Sequence, residues 1–384
     1  MQTGSQNFVS NRQRWLYTLG ESAISRESRM MANDLINTLK RLHLGGLRQT
    51  SINRLQHVLF GGMLVLLGLG SAFAQQLERA PDTAFRYLSW NVSRENFIER
   101  QSDMLAILRA AKADVIMLDE LPKDVTHESL VTFATKIDGD TWQVVLGQGG
   151  GIYQRAAVIS RQPSRRLDAF DQLGYADSHR QEWLADAGLE RRSLEFNLSL
   201  GIPVAAAELE FTPFTLIVVG MDLQCCGNSP GAWQERRRRA ETMTIRDTLD
   251  QTWTHQTAVI VSGDFNNVQG MMPVETIAGA HLADPSRHLR RAEAVRPDGQ
   301  TDWTWDGRNT EFPSRPLDHV LYSDALSVLN ALVLDTETLP DATLKANDLT
   351  SDLSNHCSDH RPVVVDFGWA VQVPPSRMEP PATP

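Results

Sequence analysis

Cysteine is nearly missing from this 384-residue chain: three residues, none spaced with histidine as zinc ligands are, cannot staple a domain of this length. Stability must come from an ordinary core, and with 41% hydrophobic residues the chain can build one large core or two smaller ones. Positive charge is also short. With 37 Lys and Arg against 47 Asp and Glu, the net charge is -10. That excludes a protein gripping nucleic acid by charge alone, since phosphate neutralisation needs clustered Lys and Arg. Gly149-Gly150-Gly151 lacks the Lys-Ser/Thr partner of a nucleotide-binding P-loop and reads as a turn between strands. No internal repeat is present.

The charge that is there is uneven. Residues 1–74 hold eight basic and three acidic groups, or +5, whereas the remainder holds 29 against 44, or -15. Residues 58–70 are uncharged and rich in Leu and Gly, follow Arg54 and end in Ser71-Ala72-Phe73-Ala74. This is the layout of a secretory signal, too short to span a bilayer comfortably, and cleavage is expected after Ala74. A buried helix or an uncleaved N-terminal anchor are the alternatives, and a start at Met30 or Met31 would shorten the leader. The expected organisation is an export region over 1–74, a linker over 75–81, one domain over 82–369 with a helical insertion at 165–200, and a Pro-rich disordered tail over 370–384. The expected destination is the periplasm or the exterior, with anchoring by an uncleaved N-terminal segment as the alternative.

Short apolar runs at 86–90, 115–118, 144–146, 157–160, 204–209, 215–220, 258–262, 319–322, 331–334 and 363–367 read as strands. Residues 95–112 and 233–252 read as helices, the first with Met104, Leu105, Leu108 and Ala111 on one stripe. Many strands with interspersed helices predict a layered α/β architecture with two sheets. The run Arg236 to Arg239, among Glu235 and Glu241, reads as a solvated helix face.

Polar groups recur where these strands stop. The first ends in Asn91, the second in Asp119-Glu120, and later ones deliver Asp222 and Asp264-Phe265-Asn266; Asp318-His319 and Asp359-His360 follow near the end. Strand ends present side chains to a shared cleft, so residues distant in sequence can converge there. Carboxylates, amides and an imidazole in one cleft suit a hard cation, Mg²⁺ or Mn²⁺, and hydrolysis of a phosphate ester. Singly, each is also a common turn or helix-cap choice.

Five segments in order, Ser89-Trp90-Asn91, Asp119-Glu120, Gly263-Asp264-Phe265-Asn266, Leu317-Asp318-His319-Val320 and Ser358-Asp359-His360-Arg361-Pro362, resemble the motifs of the endonuclease/exonuclease/phosphatase superfamily. The resemblance covers about 82–369. It implies a DNase I-like α/β (α+β) fold: a four-layer sandwich of two packed, mainly antiparallel β-sheets flanked by helices. It implies a metal-dependent phosphoric ester hydrolase, more specifically a phosphodiesterase or endonuclease-type enzyme using in-line attack of water. Glu120 would be the main Mg²⁺ or Mn²⁺ ligand, with Asn91 and Asp359 beside the metal. Asp264 would orient or deprotonate the water, Asn266 would bind a phosphate oxygen, and His360 would bind phosphate or act as acid/base with Asp318 fixing its tautomer. The substrate would be nucleic acid, a lipid head group or a small phosphate ester, on a monomer with no extended basic surface. A non-catalytic binder of a phosphorylated ligand or protein, or a sphingomyelinase/phospholipase C-like enzyme, are the alternatives; for the latter, the insertion offers Leu173, Trp183 and Leu184.

Several features depart from the resemblance or extend it. Many relatives carry His where Asp222 stands, so Asp222 is expected to support a cation or a modified acid role, or else to mark altered activity. The family usually has Gln before the glutamate, and strand alternation would turn Asp119 away from the face of Glu120. If the motifs converge, Cys225, Cys226 and Cys357 all rim the site: a bridge from one of the neighbours to Cys357 is expected, against a bond between neighbours, a soft-metal site or three thiols. Trp303 and Trp305 are expected in a strand, where relatives carry aromatic residues near the substrate, with core packing the expected role of at least one of them.

Overall fold

The computed structural model describes residues 77–370, except 151–153, 187–190, 228 and 255–256; the export region, the segment before Leu77 and the tail beyond Ala370 lie outside the described residues. Its strands are β1 (Phe85–Asn91), β2 (Val115–Leu121), β3 (Gln143–Leu146), β4 (Arg155–Ser160), β5 (Ser164–Arg166), β6 (Val204–Phe211), β7 (Phe214–Asp222), β8 (Thr257–Asp264), β9 (Arg290–Arg291), β10 (Asp318–Tyr322), β11 (Leu326–Val333) and β12 (Val363–Trp369). The helices are α1 (Glu95–Glu99), α2 (Gln101–Ala111), α3 (His127–Asp138), α4 (Asp177–Asp186), α5 (Arg191–Ser199), α6 (Trp233–Thr252), α7 (Met272–Ala278), α8 (Asp341–Ala346) and α9 (Leu353–Cys357).

The strands form two six-stranded sheets, ordered β11-β12-β1-β2-β4-β3 and β5-β6-β7-β8-β10-β9. Each contains one parallel pair, β1 with β2 and β7 with β8, and is otherwise antiparallel. Both parallel pairs need a crossover, supplied by α1 and α2 in the first sheet and by α6 in the second. One apolar cluster, including Phe85, Tyr87, Met117, Val218, Ile260 and Val320, fills the space between the sheets. A second seals α2 and α3 to the outer face of the first sheet, and a third seals α6 and α7 to the second. These are the four layers expected.

The sequence pattern fails at identifiable points. The helix at 95–112 divides at Arg100, whose φ and ψ of -118° and 24° leave the helical region. Arg100 N–H still reaches Asn96 O, and Met104 N–H reaches Arg100 O, so the kink keeps the ladder. The insertion begins as edge strand β5, not helix, and then folds α4 and α5 onto α6. Trp183 and Leu184 are buried there with Leu194 and Leu198, so they offer no apolar loop to a lipid surface. Of the Arg236 to Arg239 run only Arg236 and Arg239 keep the solvated face expected. Arg237 pairs with Glu241 and Arg238 with Glu235, all four buried, because α6 is covered on that side by the insertion and the 224–226 loop. Cys357 is buried in the helix-covered core instead of rimming the site, while Sγ of Cys225 and Sγ of Cys226 face each other at 2.7 Å. The loop-to-loop bridge is not formed. Trp303 and Trp305 sit in a loop; Trp303 stacks under Arg296 at 3.9 Å, and only Trp305 makes an isolated bridge, to Arg315 and His360.

A charge pair anchors the sheet end opposite the polar one. Arg86, 1% exposed, binds Asp366 in a fork at 2.6 and 2.9 Å and donates to Leu77 O and Ala111 O. It ties β1 to β12 and to the end of α2.

Candidate active site

Strand parity explains why the polar groups meet. On β1, β2, β7, β8 and β10 the side chains facing the other sheet run Phe85, Tyr87, Ser89, Asn91; Val115, Met117, Asp119; Leu216, Val218, Gly220, Asp222; Ala258, Ile260, Ser262, Asp264; and Tyr322, Val320, Asp318. Each row starts apolar and ends polar at the same edge of the sandwich. Register completes the alignment: Asp222 pairs with Asp264 across the parallel strands, and Asp264 with Asp318 across the antiparallel ones. Three carboxylates therefore lie in a line across three strands, and residues paired in register share a face. Opposite them, Asn91 pairs with Asp119. Gly263 makes the crowding possible: at φ 131°, a Cβ there would lie 1.8 Å from Met221 O.

Alternation should send Glu120 outward, yet it reaches the site. Between Leu118, opposite Ala157, and Leu121, opposite Arg155, β2 carries one residue more than β4. Glu120 takes φ 49° in this bulge. A bulge re-aims a side chain, and here it brings both members of Asp119-Glu120 to the cleft. Asp119 Oδ2 accepts Asp264 N–H at 3.1 Å across the two sheets. The opposed orientation expected for Asp119 is thus corrected by a bulge that no periodicity announces.

His360 arrives on the loop before β12, pinned by its N–H to Ser358 Oγ and by Trp90 Nε1 donating to its carbonyl. Its Nδ1 is 2.8 Å from Asp318 Oδ2 and its Nε2 is 3.7 Å from Asp264 Oδ2. Asp318 is held by Thr304 Oγ1, which donates to it at 2.5 Å and accepts its N–H at 2.9 Å. Burial opposes charge on His360, but Asp318 and Asp264 outweigh it and hold the imidazole well above its usual range. Nε2 faces the cleft on the side of Asp264.

Glu120, Asp222 and Asp264 each offer an oxygen within 4.8 Å of the others'. Burial, with the charges of Glu120, Asp264 and Asp119, pushes Asp222 well above the ordinary carboxylate range. Burial, against His360 and with Asp318, raises Asp264 to about 8. Buried carboxylates at this separation need a proton or a cation between them. Asp222 is 1% exposed and its Oδ2 has no hydrogen-bond partner. An all-oxygen set with an orphaned buried acceptor fits a hard divalent ion.

The remaining expected residues take supporting positions. Asn91 turns its Nδ2 to Glu120 Oε1 at 3.2 Å and Asp264 Oδ2 at 3.3 Å, with Oδ1 accepting Ser93 N–H; it orients carboxylates here. Asn266 donates to Leu223 O at 2.9 Å and, at a long 3.4 Å, to Asp222 Oδ1, leaving that second N–H able to turn to a phosphate. Asp359 joins neither acidic cluster: Ser93 Oγ donates to one oxygen and Trp305 Nε1 to the other. Sequence reading missed Thr304 and Ser358, which position Asp318 and His360, and Arg94, whose Nε is 3.6 Å from Glu120 Oε2. Ser and Thr in loops carry no signal of this kind.

Residues 88–360 match the model of the Endonuclease/Exonuclease/phosphatase family. No curated protein matches the chain by sequence. Among solved structures, D. rerio TDP2 complexed with single strand DNA product is 14% identical over 74% of this chain and 98% of that chain, with a TM-score of 0.46. The human Nocturnin catalytic domain with bound sulfate is 18% identical over 74% and 94%, also at 0.46. The 3' phosphatase NExo from Neisseria bound to product DNA hairpin is 17% identical over 74% and 100%, again at 0.46.

Proposed function

The chain belongs to the endonuclease/exonuclease/phosphatase family of phosphoric ester hydrolases, and from that premise we propose that it is an exported phosphodiesterase dependent on Mg²⁺ or Mn²⁺. The observation that carries the reading is the alignment of Asp222, Asp264 and Asp318 in register across three strands, with Glu120 bulged toward the first two and His360 clamped to the third. A divalent ion held by Glu120, Asp222 and Asp264 would polarise the phosphoryl group and offset its charge. Asp264, kept in place by the N–H groups of Asn266 and Asn91, orients the attacking water. His360 donates from Nε2 to a phosphoryl oxygen while Asp318 fixes the ring through Nδ1. Asn266 would turn its weakly held Nδ2 proton from Asp222 to a second oxygen, and Asp359 positions the Ser358 to His360 loop through Ser93 and Trp305.

Hydrolysis of bis(p-nitrophenyl) phosphate and p-nitrophenyl phosphate, with Mn²⁺ and with chelator, tests the reading. Cation-dependent turnover of the diester above the monoester supports it; turnover that survives chelation, or none of either ester, contradicts it. Export rests on the basic leader, the uncharged 58–70 stretch and Ser71-Ala72-Phe73-Ala74. Mass spectrometry of the protein recovered outside the cytoplasm should give a chain beginning at Gln75.

A further inference from the structure

A pocket of about 210 Å³ opens beside Asp222, lined by Arg94, Gln154, Asn197, Gln224, Arg237 and Glu241 among others. It shares Asp222 with the acidic trio, and Arg94 reaches from its wall toward Glu120. One side is the end of α5 and the turn after it, so the insertion at 165–200, otherwise an attachment to α6, forms part of the cleft.

The floor is prearranged. Tyr175 Oη donates to Glu241 Oε1 at 2.6 Å, Arg237 Nε donates to the same oxygen at 2.9 Å, and Gln224 N–H donates to Glu241 Oε2 at 2.7 Å. Arg237 and Glu241 thus satisfy each other inside a buried network and Gln224 Nε2 donates to Cys225 O, leaving the Gln224 side-chain carbonyl, the Asn197 and Gln154 amides, the Arg94 guanidinium and the Asp222 carboxylate among the polar groups a ligand would meet. Amides both donate and accept, which matches hydroxyl groups, themselves donor and acceptor at once. Among the described residues that line the pocket none is aromatic, whereas recognition of a nucleic-acid base relies on stacking. The volume is also below the ~300–1,000 Å³ of sites for drug-sized ligands, so one small group fills it. An acyl chain would find polar walls, and a polynucleotide would find no basic track, with -15 net charge beyond residue 74.

We infer, on the footing of the cation site proposed above, that this pocket receives a small polyhydroxy alcohol as one of the two groups esterified to phosphorus. The preferred substrate is then a phosphodiester of a polyol or sugar. Asn197 and Gln224 are specificity determinants that bind its hydroxyls, and the insertion supplies the first of them.

The test compares kcat/KM of the Mn²⁺-loaded full-length protein on a glycerophosphodiester, the methyl ester of a hexose phosphate, a dinucleoside monophosphate and bis(p-nitrophenyl) phosphate. At least one of the first two should exceed the dinucleotide, and which of them wins separates an open polyol from a sugar ring. Asn197→Leu and, separately, Gln224→Leu should raise KM for that substrate about 3- to 10-fold, the scale of one lost hydrogen bond, with its kcat held. Both positions are half-buried at the surface, so the variants should fold. Turnover of the chromogenic diester with the dinucleotide preferred, or with KM unmoved in both variants, overturns the pocket assignment and leaves the phosphodiesterase reading intact. No cation-dependent turnover of any of the four overturns both.

Discussion

Asp318 Oδ2 and His360 Nδ1 are 2.8 Å apart, both groups are buried, and the second ring nitrogen of His360 faces Asp264 at 3.7 Å. Asp318, on β10 of the facing sheet, holds the imidazole in orientation through Nδ1 and, with Asp264, favours its protonated form. Asp318→Asn keeps the shape and removes the charge, so it should lower kcat by about 10²–10⁴-fold, on the scale of a lost general acid or a misoriented one. The imidazolium should also deprotonate at lower pH. Both effects are read from the pH profile of kcat; a profile matching the unaltered protein would show that Asp318 does not hold His360.

Gly263 is predicted to be irreplaceable for geometric reasons. Its φ of 131° is barred to other residues, and a Cβ would meet Met221 O at 1.8 Å, between the strands that present Asp222 and Asp264. Gly263→Ala should therefore give insoluble protein, or soluble protein without cation binding. Normal yield with normal cation affinity would contradict the strand placement.

Removing one partner of the Arg86–Asp366 pair should destabilise by about 3–5 kcal/mol, because the survivor is left charged and buried. Arg86→Leu, followed by urea unfolding, measures this. A change under about 1 kcal/mol would mean that the pair behaves as an exposed one.

Stability in chelator should fall as pH rises. Asp119, raised chiefly by burial, and Asp222, Asp264 and His360 all hold protons more tightly folded than unfolded. A raised folded pKa contributes stability that is complete below the unfolded value and is lost as pH passes the folded value. For Asp264 the window runs from 3.8 to about 8, and for His360 it begins above 6.5. Asp359, where burial is outweighed by His360, Ser93 and Trp305, is lowered, so its contribution is lost only at the acid end. The melting temperature should thus decline from about pH 5 to about pH 8 without cation. Mn²⁺ replaces those protons, so the increment it adds should grow over the same range. Thermal melts in paired buffers decide this; a midpoint that climbs with pH in chelator, or a constant cation increment, would oppose it.

The legible part of this molecule was whatever periodicity or strand endings encode. Strands β1, β2, β6, β7, β8, β10 and β12 and the full extent of α6 follow from apolar runs and flanking polar residues, and the same runs bring Asp222, Asp264 and Asp318 together. Glu120 was reachable as a ligand only by resemblance, since its orientation depends on one extra residue in β2. Arg237, Arg238 and Cys357 were misplaced because burial of charged or thiol groups depends on which helix lies over them, and composition is silent on that. The pocket beside Asp222 combines α5, the loop after β7 and the loop after β1, segments with no shared pattern.

Glu120, Asp222 and Asp264 should jointly hold the divalent ion that hydrolysis requires. Mn²⁺ binding by isothermal titration calorimetry, with bis(p-nitrophenyl) phosphate turnover on the same samples, tests it in Asp222→Asn beside the unaltered protein. One saturable site in the unaltered protein is predicted, weakened about 10- to 100-fold in the variant, with turnover falling in step. Equal Mn²⁺ affinity in both proteins, or turnover in excess chelator, would contradict it.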